Sequence, residues 1–469
     1  MSQEQLVNDV QAWVENHHDE MLADLQAILR IPSSESAAEP NAPFGSENRR
    51  ALDYMLERAN DSGMKTTDLE GYAGYAEFGS GEKMVMTLGH LDVVPVGPGW
   101  KHDPFGAEIE DGWLYARGAI DDKGPTIAMW YAARALQASA PQLDVRIRSV
   151  FGCNEESGFK CVERYLQTEE IPTLGVAPDA DWPCIHGEKG ICNFVVDVPL
   201  PNGEMTLLQL NGGQRPNIVI DDCSAMIEVT DSALDHVQTK VAESWDKNIS
   251  FSWNGHRLEV HASGKAAHGS TPFAGDNAAT RVLRFLKEAA PLSQESEYKE
   301  LFYFGHVGGN GLGIAGSDDV SGPLTLNLGI AETANGRLNL TLNVRYPVTF
   351  SGHQLQSLCE KHLLNLKCGA TLKSFEDSPP LYFPSDHPLV RAVVDTYHLE
   401  TGELLMPKTM GGGTYARAIP NCIAIGTGWT GDGQAHETDE RIRVEHLFKM
   451  ARIYAHLLVK IAATARQSK

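Results

Sequence analysis

The stretch Met84-Val85-Met86-Thr87-Leu88-Gly89-His90-Leu91-Asp92-Val93-Val94-Pro95 decides the fold class of this chain. Its first five residues read as a strand, and Gly89-His90 leaves the C-terminal end carrying an imidazole with a carboxylate two positions on. Downstream, Lys123 to Ala138 reads as a helix containing Ala128, Ala132, Ala133 and Leu136. Val145 to Phe151 then reads as a second strand that runs into Cys153-Asn154-Glu155-Glu156-Ser157-Gly158. Strand, helix and strand with polar residues at the strand ends is an α/β pattern, in which sheet-terminal loops hold ligands on a rigid base.

Working outward, Leu6 to Leu29 reads as one helical segment closed by Ile31-Pro32, and Arg49 to Asn60 as another, stopped by Asp61-Ser62-Gly63. From about Gly187 the rhythm changes. Strands are expected at Ile191–Val198, Met205–Leu210 and Ala225–Val229, a helix at Leu234–Trp245, and strands near Phe251 and at Arg257–Ala262. A similar order recurs with a helix at Asn277–Ala289, strands at Leu324–Ile330 and Arg337–Val344, a helix at Gly352–Leu364 and a strand at Ala370–Phe375. After Pro379-Pro380 the α/β rhythm resumes, with Cys422-Ile423-Ala424-Ile425. The expectation is a catalytic domain in two parts, 1–186 and 383–469, interrupted by an inserted α+β lid domain at 187–382.

Composition narrows the function. A chain of 469 residues with 42% hydrophobic and 22% charged residues is an ordinary folded protein, large enough for two domains. A formal charge of -23 argues against nucleic acid or an anionic membrane as partner. The opening Met1-Ser2-Gln3-Glu4 shows no basic leader, and no stretch is apolar enough to span a bilayer. The eight cysteines are scattered without a CxxC pair, which fits buried thiols in a reducing compartment. The cytoplasm is the expected location.

The remaining polar motifs suit a metal-dependent amide hydrolase. His90 offers an imidazole whose tautomer Asp92 could fix by accepting from the remote ring nitrogen. Arg117-Gly118-Ala119-Ile120-Asp121-Asp122-Lys123-Gly124 offers two acids: Asp121 as a carboxylate bridging two cations, with Asp122 supporting it, or either as a cap of the following helix. Glu155 and Glu156 are consecutive, so at a turn they diverge; Glu156 can hold metal while Glu155 handles a proton. Asp179 suits a terminal ligand, with Asp181 as the alternative, and His436 supplies a second imidazole, with Glu437 and Asp439 as nearby acids. No HExxH, GxSxG or Walker-type motif competes with this reading.

Taken together, His90 to Pro95, Arg117 to Gly124, Glu155 to Gly158, Pro178-Asp179 and His436 closely resemble the signatures of the M20 metallopeptidase family, in particular its branch of bacterial dipeptidase V and carnosinase-like dipeptidases. The resemblance implies a zinc-exopeptidase-like catalytic domain and a lid with two ferredoxin-like halves. It implies two divalent metals, zinc with manganese or cobalt as alternatives: one held by His90 and Asp179, the other by Glu156 and His436, with Asp121 between them. Asp92 would orient His90, and Glu155 would be the general base and later acid. It further assigns His268, in Ser263-Gly264-Lys265-Ala266-Ala267-His268-Gly269-Ser270, to the oxyanion. Asn217 becomes a substrate contact, and Arg345 with Gly413 and Thr414 the site of the substrate's terminal carboxylate. The implied substrate is a small free dipeptide, with Xaa-His and β-Ala-His in range, acted on by a monomer. A relative acting on N-acyl amino acids or diamines is the alternative.

Overall fold

The computed structural model describes residues 2–468. Contacts divide the chain into two compact units, one built from Met1–His186, Phe383–Lys408 and Gly413–Lys469, the other from Gly187–Tyr382 with Thr409–Gly412.

In the first unit, strand Met84–His90 is flanked in parallel by Arg146–Gly152 and by Leu174–Ala180. Cys422–Gly426 adds in parallel beside Leu174–Ala180. All seven residues of Met84–His90 are buried, which is why this stretch is an apolar run and not an alternation. Because the four strands are parallel, their C-terminal ends share one edge, and the loops that follow emerge together there. Helix Lys123–Ser139 packs against Met84–His90 and against helices Gln3–Glu15 and Val444–Gln467. It is buried on nearly every side, as a helix sandwiched between a sheet and other helices must be.

Gly89 is required where strand and helix meet. A Cβ there would lie 2.0 Å from Thr126 Oγ1 and 3.1 Å from Asp122 Oδ2. Lys123 is the polar exception inside the helix. Its Nζ donates to the carbonyls of Ile28 at 3.2 Å and Ile31 at 2.7 Å. Burial pushes its pKa down to about 7.

The single helix expected over Leu6–Leu29 is two, Gln3–Glu15 and His18–Leu29. The break at Asn16-His17 leaves the apolar period in phase, and His17 turns back to stack on Trp13, so periodicity could not show it. Strands Lys65–Asp68 and Ala73–Phe78, absent from the sequence-based expectation, extend the sheet antiparallel beyond Arg146–Gly152. Lys65-Thr66-Thr67-Asp68 is a polar edge strand without the apolar alternation that would announce it.

The second unit is an eight-stranded antiparallel sheet in the order Ile249–Asn254, Arg257–Ser263, Asp222–Val229, Met205–Gly212, Thr325–Ala334, Arg337–Tyr346, Gly190–Pro199 and Thr371–Ser378. Two sets of four strands meet at the pairing of Gly212 with Ala331. Burial alternates residue by residue along Gly190–Pro199, so one face carries the core. That core is shared by both sets, uniting Phe194 and Leu340 with Leu207, Ile227 and Leu283. The chain is thus a mixed α/β fold with a second, α+β domain. Among the described residues, no helix is long and apolar enough to cross a membrane, and all eight cysteines are free and buried.

Candidate metal centre and its surroundings

His90 ends the central strand fully buried. The chain beyond it is pinned on both sides, Leu91 N donating to Gly152 O at 2.8 Å and Ser33 Oγ to Leu91 O at 2.6 Å. The ring is oriented by the main chain of Asp92. Nδ1 lies 3.0 Å from the Asp92 carbonyl and 3.5 Å from its carboxylate. Both ring nitrogens thus face acceptors: Nδ1 donates to the main chain, and Nε2 points at the acidic group, 3.0 Å from Asp121 Oδ1. The orienting contact expected from the Asp92 carboxylate therefore comes chiefly from its carbonyl. The carboxylate does something else: it accepts from the backbone N–H groups of Glu155 (3.1 Å) and Glu156 (3.0 Å).

Those two amides start the turn after strand Arg146–Gly152. With the backbone held there, Glu156 faces His90 and Asp121. One donor atom from each of these three residues falls within 4.8 Å of the others. His436 completes the group. Its Nε2 is 3.1 Å from Asp121 Oδ2 and 3.0 Å from Glu156 Oε2. The two imidazoles thus address different oxygens of one carboxylate, the arrangement a bridging Asp121 requires.

Asp179 stands near the end of Leu174–Ala180, close enough for the charges of Asp121 and His90 to act on it. Asp122 makes no side-chain cap to its helix. Its Oδ2 accepts instead from Thr126 Oγ1 (2.8 Å) and from His90 N (3.1 Å), so Asp122 stands at the helix's N-cap while its side chain supports the imidazole's backbone. Asp181, the alternative to Asp179, pairs with Lys408 instead, and Asp439 accepts from Lys101 N and His102 N.

The electrostatics follow from crowding acids in a dry place. Burial, reinforced by Asp121, raises Asp179 well above the carboxylate range. Burial, with Glu156 and Asp121 adding to it, lifts Glu155 to about 7. Against the push of burial, hydrogen bonds from His436 and His90 hold Asp121 low. Hydrogen bonds to Asp121 and Glu156 raise His436 to about 10.

The second unit holds His268, Asn217 and Arg345. His268 Nδ1 lies 3.2 Å from Ser270 N, a donor, and 2.7 Å from Ser270 Oγ. Nδ1 therefore accepts, and the ring proton belongs on Nε2. Burial and then Arg345 lower its pKa, keeping the ring neutral. Asn217 sits beside it, its carbonyl accepting from Gly269 N at 2.7 Å. Arg345 is buried, with Nε on Asn343 Oδ1 (3.1 Å) and Nη1 on Gly411 O (3.3 Å).

Gly413 and Thr414 belong to the first unit. The Thr414 hydroxyl accepts from Ala416 N at 3.3 Å and starts the short helix Tyr415–Ala418. A Cβ at Gly413 would meet Arg417 Cδ at 2.7 Å.

Two residues near the centre were not foreseen from the sequence. The Tyr415 ring sets its edge against the His90 ring, centroids 6.0 Å apart. Its hydroxyl fills the space where Gly152 has no Cβ, since one there would come within 1.7 Å of it. Glu440 accepts from the backbone N–H of Asp121. The glycine of strand Arg146–Gly152 was a signal for the first; nothing in the local sequence pointed to the second.

Residues 86–460 match the family described as Peptidase family M20/M25/M40. The chain is 35% identical over 457 residues to a Bacillus subtilis (strain 168) protein named "Putative dipeptidase YtjP", covering 95% of this chain and 97% of the relative. Among solved structures it resembles human carnosine dipeptidase 1 (TM-score 0.53, 17% identity, 98% of this chain and 99% of that one). It also resembles the dipeptidase Dug1p of Saccharomyces cerevisiae (TM-score 0.54, 16% identity, 99% of each chain).

Proposed function

The chain belongs to peptidase family M20/M25/M40 and is a hydrolase acting on peptides, and on that premise we propose that it is a metallodipeptidase that cleaves free dipeptides with the help of two divalent cations. One observation carries the reading: His90 and His436 lie on opposite oxygens of Asp121, and Glu156 joins both His436 and the His90–Asp121 group.

The donor set fits divalent metal. It consists of imidazole nitrogens and carboxylate oxygens without a thiolate, which suits zinc, manganese or cobalt. The fit is also electrostatic, because Asp121, Asp179, Glu155 and Glu156 crowd negative charge into a buried place that positive charge would relieve. His90, Asp179, Asp121, Glu156 and His436 are the residues that would hold it. Bound metal supplies Lewis acidity at the scissile carbonyl.

The chain's own side chains then move the protons. Glu155 accepts a proton from the attacking water and returns it to the departing amine. His268, neutral with its proton on Nε2, donates to the negative oxygen of the tetrahedral intermediate. Arg345 offers a fork for the substrate's terminal carboxylate, aided by Gly413 and Thr414, and Asn217 contacts the substrate. The dipeptidase named in the relative and the two dipeptidase folds support substrates of this length. The range we assign is broad, Xaa-His and β-Ala-His included, and the setting is a monomer in the cytoplasm.

The test is hydrolysis of a free-dipeptide panel by protein stripped of metal and reloaded with zinc, manganese or cobalt, against N-acyl amino acids and longer peptides. Metal-dependent release of two amino acids is expected. Folded, metal-loaded protein that leaves dipeptides intact while cleaving N-acyl amino acids would overturn the reading.

A further inference from the structure

Arg117 opens the Arg117–Gly124 motif, yet neither the metal donors nor the proton transfers give it a task. It is almost fully buried, and so is its partner Glu440. The Arg117 Nη1–Glu440 Oε2 distance is 2.6 Å. The other Glu440 oxygen is ringed by backbone donors: Gly118 N and Ile120 N at 3.0 Å and Asp121 N at 3.3 Å. One carboxylate thereby gathers the whole turn that presents Asp121.

The other terminal nitrogen of the guanidinium reaches the His436 loop. Arg117 Nη2 donates to the carbonyl of His436 at 3.4 Å. His436 has φ 66, a left-handed backbone conformation that a residue with a Cβ keeps only when its surroundings impose it. A bond to its own carbonyl is such an imposition. Ala116 N also donates to Glu440 O at 3.1 Å, so the two segments are tied by main chain as well.

We propose that the Glu440–Arg117 pair is a buried clamp that fixes the spacing between the Asp121 turn and the His436 loop, making both residues positioning residues for the metal centre. The proposal rests on reading Asp121 and His436 as metal donors. His436 Nε2 meets Asp121 Oδ2 at 3.1 Å only if two loops distant in sequence are held in register, and this pair is bonded to both. Stability alone is a poor reason for such a pair, because well-packed apolar residues of similar volume usually serve a core as well or better.

The experiment uses the full chain, stripped of metal and titrated with zinc(II) in a chelator buffer. Parent, Glu440→Gln, Glu440→Asp and Arg117→Lys are compared, with metal-free melting recorded for each and kcat and KM for a dipeptide measured at saturating zinc. The clamp predicts zinc affinity weakened by roughly 10–100-fold in the variants. It also predicts that the remaining loss at saturating zinc falls on kcat, with KM held within about threefold. A lowered metal-free melting temperature with zinc affinity and kcat unchanged would show a purely structural pair and overturn the proposal. If Glu440→Gln does not fold, Glu440→Asp decides the same question, since it keeps the charge beside Arg117 but draws the oxygens back from the amides. Parent protein that binds zinc but leaves dipeptides intact refutes the dipeptidase reading while the zinc titration still decides the clamp. Parent protein that binds no zinc refutes both.

Discussion

Replacing Asp92 with asparagine isolates what its carboxylate does. The side chain is buried, and its two oxygens accept separately from Glu155 N (3.1 Å) and Glu156 N (3.0 Å). Asparagine has the same shape but only one acceptor oxygen, so one backbone N–H must face an amide NH2. A hydrogen bond to a charged group contributes about 1.5–3 kcal/mol, and a buried donor left without a partner costs about 1–3 kcal/mol. Allowing for overlap between those terms, the glutamate turn loses about 2–3 kcal/mol of preference for its observed shape. That energy acts on the placement of both Glu155 and Glu156, to which the proposed mechanism assigns the proton and the metal. At about 1.36 kcal/mol per decade it corresponds to a loss in kcat/KM of roughly 30–150-fold. The assay is steady-state hydrolysis of a dipeptide at several zinc concentrations, with bound metal quantified. Asp92→Asn should keep the His90 contact, since the orienting group is chiefly the main-chain carbonyl. A variant that turns over at the parental rate would refute the assigned role of the carboxylate, and a loss that disappears entirely with excess zinc would confine its effect to metal binding and remove Glu155 from it.

Glu155→Gln should retain metal and fold while turnover falls by roughly 10²–10⁴-fold; comparable turnover by metal-loaded mutant and parent rejects the acid/base assignment. His268→Ala should lower kcat by about 10²–10³-fold with bound zinc unchanged, and unaltered kinetics would remove it from the oxyanion. Arg345→Met should weaken dipeptides with a free C-terminal carboxylate more than their C-terminal amides, and equal losses would contradict the carboxylate fork. Loading the metal-free protein with zinc at pH 8 should release protons. His436 there is held protonated, its pKa raised to about 10 by Asp121 and Glu156, and it must deprotonate to become a ligand. The same contact stabilises the metal-free fold fully below the ordinary histidine value of 6.5 and is lost as the pH rises through about 10. Calorimetric heats of zinc binding should therefore depend on the buffer's ionisation enthalpy, and heats independent of buffer would refute it.

Much of the fold was legible because its signals are local. The apolar run Met84–Leu88, the helix after Lys123 and the alternation along Gly190–Pro199 each follow from side-chain period, and each formed. The helix break at Asn16-His17 and the polar edge strand Lys65–Asp68 were not legible, because neither disturbs or creates an apolar period. The candidate site divides in the same way. That Glu155 and Glu156 cannot share one face follows from their being consecutive, whereas the close approach of Thr126 to Gly89 shows only in the fold.

What the sequence determined by itself was the chemical type of each candidate donor and the strand ends that carry His90 and Asp179, since side-chain chemistry and the apolar pattern of a strand are properties of the chain alone. Tertiary structure decided which oxygen meets which nitrogen. The Asp92 carboxylate takes amides 63 and 64 residues away, and Glu440 closes on the amide of Gly118, 322 residues before it. Both jobs are accepted hydrogen bonds, whose energy depends on distances of about 3 Å between segments that only folding brings together.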